Sequence, residues 1–239
     1  MTVVEREPTG VAGLDEALSG GFPENASVLL VGPPGAGKTT FLDQFAYQGL
    51  EEGEKVLYIT LDSPPEEVKE TARYFGWDYD EFGDNIVFLD GYSWREGGDV
   101  EGRFAIEGPA DLDEMNITLA DAMQELGKGR KRVVLDSVST LVLYTDPSSA
   151  VKFLQVVSAK SKASNSNLLM TLEEGVHEEK TISTLNYVAD GLLRMTVDDE
   201  DRQVMVQRMV KTEHSSEWLD FTIEEGTGIT IGERAEVEA

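Results

Sequence analysis

The segment Gly32-Pro-Pro-Gly-Ala-Gly-Lys-Thr39 restricts this chain more than any other. It follows an apolar, strand-like run, Ser27 to Val31, and opens a helical pattern from Lys38 to Glu52. The spacing GxxxxGK[ST] between a strand and a helix is that of a loop wrapped around phosphate. Glycines let successive backbone N–H groups turn toward phosphate oxygens, and the helix N-terminus adds about half a positive charge. Gly32, Pro33, Pro34, Gly35, Ala36 and Gly37 are therefore candidate loop contacts. Lys38 would neutralise the β- and γ-phosphates, and the Thr39 hydroxyl would hold Mg²⁺. Thr40 opens the helix behind them. ATP and Mg²⁺ are the expected ligands.

The rest of the chain supplies a scaffold for such a loop. Ser27 to Gly32, Val56 to Leu61, Ile86 to Asp90, Arg132 to Asp136 and Leu168 to Glu173 read as strands. Between them, Lys38 to Glu52, Pro65 to Phe75, Leu112 to Leu126 and Ser148 to Ala163 read as helices. Strands alternating with helices imply an α/β fold, with a mostly parallel sheet covered on both faces. Val151, Leu154 and Val157 mark one buried stripe on the last helix. From Gly191 the pattern changes to period-2 alternation around the acidic Asp198 to Arg202 turn, which predicts an antiparallel hairpin; Trp218 to Ile223 and Ile229 to Ile231 are further strands. No repeat or linker interrupts residues 1–239, so one domain is expected. Gly91 to Pro109, with five glycines and with Trp94 and Arg95 expected to be exposed, is a long loop, the kind that usually carries function or mobility.

In a parallel sheet the C-terminal strand ends line the ligand-binding edge. Asp136, ending the run Arg132-Val-Val-Leu-Asp136, is placed there to reach Mg²⁺ directly or through water, with Ser137 in support.

Forty-six Asp and Glu against 20 Lys and Arg give a formal charge of −26, and each third of the sequence holds a similar share of the acids. This is an acidic surface rather than an acidic tail. It opposes contact with nucleic acid and anionic membranes. It fits either a halophile's cytoplasm, where a Debye length of about 3 Å at 1 M salt screens self-repulsion, or a cationic ligand. A phosphate loop removes the second motive, because it gathers a polyanion inside the acidic shell. The chain has no cysteine, so no thiolate metal site exists. Met1 to Pro8 lacks the apolar core of a secretory signal, and no apolar run approaches the ~20 residues of a spanning helix. A soluble, cytoplasmic protein is expected.

Thr9-Gly-Val-Ala-Gly-Leu-Asp-Glu-Ala-Leu-Ser-Gly-Gly-Phe-Pro23, followed by the phosphate loop, resembles the opening of KaiC-like ATPases of the RecA superfamily, including the archaeal recombinase paralogues. Val133 to Ser139, Leu169 to Gly175, Val188-Ala-Asp-Gly191 and Val210-Lys211 extend the resemblance. It implies a RecA-type core with one strand between the Walker A and Walker B strands, and rings or filaments with ATP between subunits. It also implies that Glu173 senses the γ-phosphate and that Lys211 reaches a neighbouring subunit's ATP.

Two departures bear on rate. Such ATPases usually carry a glutamate pair after the second strand, one polarising the attacking water, where this chain has Asp62 and Ser63. Aspartate is one methylene shorter, and a misplacement near 1 Å can cost on the order of 100-fold. Glu66 and Glu67, past the prolines, suit the first turn of the next helix. The family also tends to place an arginine two residues after the interface lysine; here Glu213 follows Lys211. Both departures predict slow hydrolysis, with Asp62, Lys38, Glu173 and Lys211 as the catalytic candidates.

These readings favour a nucleotide-dependent regulatory switch acting on an unidentified protein partner. The alternatives are a DNA-binding recombinase paralogue and a nucleotide-binding module that never hydrolyses. The one basic cluster, Lys128-Gly-Arg130-Lys131-Arg132, precedes the Asp136 strand and so should lie at the far end of the sheet from ATP, where it reads as a solvated turn. His177 and His214 lack the spacing of a metal pair.

Overall fold

A computed structural model describes residues 4–97 and 102–232. Its strands are β1 (Arg6–Glu7), β2 (Phe22–Pro23), β3 (Ser27–Gly32), β4 (Lys55–Thr60), β5 (Ile86–Asp90), β6 (Lys131–Asp136), β7 (Ser166–Glu173), β8 (Gly191–Asp198), β9 (Asp201–Met209), β10 (Trp218–Glu224) and β11 (Gly228–Ile231). Its α-helices are α1 (Leu14–Ala17), α2 (Lys38–Glu51), α3 (Pro65–Tyr74), α4 (Leu112–Leu126), α5 (Val138–Tyr144), α6 (Pro147–Ala163) and α7 (Glu179–Asn186).

Nine strands form one sheet in the order β11-β10-β9-β8-β3-β7-β6-β4-β5. From β8 to β5 every neighbouring pair is parallel, whereas β8-β9, β9-β10 and β10-β11 are antiparallel. The expected strand between the phosphate-loop strand and the Asp136 strand is β7. β3 and β6 bury all of their residues, as strands covered on both faces must.

Two apolar layers sandwich the sheet. One holds Phe41, Leu42 and Phe45 of α2 with Val68 and Ala72 of α3. The other holds Met115 and Leu119 of α4, Leu141 of α5, and Leu154 and Val157 of α6; Val151, the third member of the predicted stripe, is only half-buried. Local chemistry sets the helix starts. The Asp111 carboxylate accepts from the Asp113 and Glu114 amides, and Asp146 accepts from the Ser149 amide with Pro147 in the first turn. Each is a standard way of satisfying orphan N–H groups.

Lys128 and Gly129 form the expected exposed turn, but the rest of the basic cluster is not solvated. Arg132 is wholly buried, donating to Glu54 at 2.7 Å, to Glu52 at 3.2 Å, and to the carbonyls of Pro8 and Phe45 at 2.8 Å each. Its guanidinium lies 4.5 Å from the centre of the Phe45 ring. Gly49 sits against it, since a Cβ there would meet the Arg132 stem at 2.5 Å; this contact explains a glycine inside a helix. Arg130 pairs with Glu5, Glu7 and Glu24 at 3.0–3.3 Å, and Lys131 is buried. Arg130 and Arg132 tie the start of β6 to β1, to α2 and to the turn between α2 and β4, because their acidic neighbours come from other parts of the chain.

One further expectation changes. Trp94 is half-buried: its Nε1 donates to the Gly91 carbonyl at 3.0 Å and its ring meets Tyr144 edge-on at 5.6 Å. Arg95 is exposed as expected. Residues 93–96 form a short 3-10 helix, and 98–101 lie outside the described residues.

Candidate functional site

The phosphate loop leaves β3 and turns back into α2 through Gly37, whose φ of +94° suits glycine. A Cβ at Gly37 would also meet Ile223 of β10 at 2.6 Å. No side chain caps α2, so the amides of its first turn, which have no intrahelical acceptor, face the loop. A cavity of about 450 Å³ opens here, lined by Pro34, Gly35, Gly37, Lys38, Thr39, Thr40, Asp62, Asp136, Ser137, Glu173 and Ile223.

Lys38 is buried and donates to the carbonyls of Gly32 and Pro33 at 2.9 and 2.8 Å. It also pairs with Glu173 at 3.0 Å. Thr39 Oγ1 donates to Asp136 Oδ2 at 2.8 Å. The other Asp136 oxygen accepts from Thr171 of β7, which the parallel register sets beside it. Burial pushes the Asp136 carboxyl above its usual range; the Thr171 hydroxyl opposes this, Asp62 adds to it, and Thr39 and Lys38 oppose it. A buried carboxylate beside a hydroxyl is the hard-oxygen donor set that Mg²⁺ takes. The uncapped helix turn and Lys38 form the matching cradle for phosphate oxygens. The residues present therefore fit ATP and Mg²⁺.

Asp62 is exposed at the mouth and accepts a hydrogen bond on Oδ1 from Thr140 of α5. Ser137 caps α5 by accepting from the Thr140 amide, and Ser139 Oγ accepts from the Glu173 amide at 2.8 Å. Glu66 and Glu67 stand in the first turn of α3, with Glu66 bonded to Lys69.

Lys211 is the one catalytic candidate not brought to this cavity. It follows β9 at the other end of the sheet, beside a cavity of about 740 Å³ shared with Glu5, Glu24, Lys162 and Asp190. Arg6 holds the adjoining backbone, donating to the Lys211 carbonyl at 2.8 Å and to Thr212 Oγ1 at 2.5 Å.

Sequence reasoning missed Thr171, Ser139, Thr140 and Ile223. Thr171 becomes visible only when β7 is known to adjoin β6, and Ile223 only when β10 is known to fold back over the loop. Thr140 carried a local signal, standing three residues after a potential cap, Ser137.

The sequence profile of the KaiC ATPase family matches residues 7–236. The chain belongs to the KaiC family of ATPases. Relatives of this KaiC-family chain include the UPF0273 protein of Methanopyrus kandleri, 31% identical over 98% of this chain and 97% of that one. The UPF0273 protein of Thermotoga maritima is 32% identical over 96% of each. The crystal structure of a KaiC-like protein of Pyrococcus horikoshii superposes with a TM-score of 0.77 at 24% identity, covering 97% of this chain and 100% of that one. This likeness supports the fold of the KaiC-family chain. Among its described residues, no helix is long and apolar enough to cross a membrane.

Proposed function

We propose that the protein binds ATP with Mg²⁺, hydrolyses it slowly, and uses the bound nucleotide to switch a protein-interaction surface. The observation that carries this reading is the Thr39–Asp136 hydrogen bond of 2.8 Å beside the loop holding Lys38. Thr39 and Asp136 would hold Mg²⁺, which when bound draws charge from the phosphate oxygens. The N–H groups at the start of α2 orient the phosphates, and Lys38 exchanges the Gly32 and Pro33 carbonyls for phosphate oxygens. Asp62 is the candidate to orient the attacking water. One Asp62 oxygen is already committed to Thr140, and its side chain is one methylene short of a glutamate, so the water is held loosely and turnover is slow. Glu173, bound to Lys38 through its side chain and to Ser139 through its amide, is the group positioned to register the γ-phosphate. Lys211 would act across a subunit interface in a homo-oligomer. A halophilic, cytoplasmic setting suits the −26 charge.

Asp62→Glu tests the rate argument. Single-turnover hydrolysis in concentrated KCl should be equal or faster in the variant. Complete loss of hydrolysis with ATP still bound would mean that Asp62 is already optimally placed. DNA binding is disfavoured because Arg130, Lys131 and Arg132 are occupied within the fold.

A further inference from the structure

Helix α5 touches the candidate site at one end and the surface at the other. Thr140 donates to Asp62, and Ser139 accepts from the Glu173 amide at 2.8 Å. Just beyond them, Leu143 is 64% exposed and Tyr144 44% exposed.

Residues Tyr92 to Arg95 fold against this end of α5. The Asp90 carboxylate fixes the turn, accepting from the amides of Tyr92 and Ser93 at 2.9 and 3.0 Å and from the Ser93 hydroxyl at 2.6 Å. The Arg95 guanidinium then lies 4.8 Å from the ring centre of Tyr92, 5.6 Å from that of Tyr144 and 5.8 Å from that of Trp94. Three rings lie around the cation, and Arg95 itself is exposed. Among the described residues, every other arginine donates to an acceptor; Arg95 alone has neither a carboxylate nor a carbonyl on its guanidinium.

We propose that Arg95, Tyr144 and Leu143 form the docking surface of a partner protein, and that its occupant is a segment carrying an aspartate or glutamate next to a leucine or aromatic residue. The carboxylate would take the guanidinium edge, and the apolar neighbour would cover Leu143 and Tyr144. Tyrosine, tryptophan and arginine are the residue types that dominate binding energy at interfaces, and a cation already held by rings loses little freedom on binding. Charge selects the occupant. A polyanion such as nucleic acid would be repelled along its length by a chain of −26. A single carboxylate can be taken at Arg95, whose guanidinium has rings against it but no acceptor, and the adjoining rings fix its register. The proposal deepens the switch reading and rests on it in one respect, because α5 would carry the nucleotide state from Asp62 and Glu173 to Leu143.

The test uses the full chain in concentrated KCl with Mg²⁺ and either ATP or ADP. A random peptide library displayed on phage is selected on it, and the enriched peptides are synthesised with a fluorophore for anisotropy. The expected peptides pair an acidic residue with a leucine or aromatic residue. Arg95→Glu and Leu143→Ser should each weaken them about tenfold or more, as truncating one side of an interfacial charge pair or anchor does. Replacing the peptide acid by arginine should restore binding to Arg95→Glu, and ATP affinity should be unchanged in both variants. Enrichment of basic peptides, affinity indifferent to Arg95, or Arg95-dependent binding of oligo(dT) instead of peptide would overturn the proposal. If Arg95-dependent binding is equal with ATP and ADP, the surface stands and the switch reading falls. If ATP binds normally but no peptide depends on Arg95, the surface falls and the nucleotide site stands.

Discussion

Replacing Arg132 by methionine is the sharpest test of how the fold is held at the end of the sheet away from the phosphate loop. The variant keeps a long apolar stem against Phe45 and removes the guanidinium. Glu54, only 7% exposed, then loses its 2.7 Å partner, and the carbonyls of Pro8 and Phe45 lose their donor. Removing one side of a buried pair costs about 3–5 kcal/mol, because the remaining charge stays desolvated. In a chain of this length each kcal/mol lowers Tm by about 2–4 °C, so a fall of roughly 6–20 °C is expected by circular dichroism. The loss should vary little with KCl, since buried pairs are poorly screened. Adding Glu54→Gln should recover part of it. A loss below about 1 kcal/mol, the ordinary worth of an exposed pair, would refute the buried-network account and return Arg132 to the surface.

Two further outcomes follow from buried and surface charge. Asp43 of α2 is fully buried, accepts from the hydroxyls of Tyr58 and Tyr79 at 2.8 and 3.3 Å, and has its carboxyl pushed up to about 8 by burial, which outweighs those hydrogen bonds; Asp136 adds to the rise. A raised carboxyl binds its proton more tightly in the folded state, so its contribution is complete below the unfolded value near 4 and is lost as pH rises toward 8. Asp43→Asn should therefore lose less stability than the parent between pH 5 and pH 8 in urea titrations; parallel curves would refute the assignment. Separately, ATP affinity should hold or improve as KCl rises from low levels, because salt screens the −26 shell more than the enclosed cradle; isothermal titration showing a steady fall would contradict this.

The alternating strands and helices, the phosphate loop and the terminal hairpin were legible because each is written in local periodicity or spacing. Helix α5 was not, since Val138 to Tyr144 is a short apolar run that periodicity alone cannot separate from a strand. Helix α7 was missed for want of an apolar stripe, with Leu185 its one buried residue. Burial of Arg132 was hidden for a different reason. Its partners Glu52, Glu54, Pro8 and Phe45 come from distant parts of the sequence, and only the packing of α2 on β6 brings them around it. In the site, Lys38, Thr39, Asp62, Asp136 and Glu173 were readable as strand-end and loop residues, whereas Thr171 and Thr140 are set by strand order and by a helix absent from the pattern.

The most direct measurement is the affinity for Mg²⁺-ATP of the parent chain and of Lys38→Ala, by isothermal titration in concentrated KCl. Lys38, at the end of the loop that begins at Gly32, lies 3.0 Å from Glu173, and among the described residues lining the cavity it is the cationic side chain available to the phosphates. Binding by the parent and its loss in a folded Lys38→Ala is the predicted result. Full affinity in the variant would mean that ATP, if it binds, binds elsewhere.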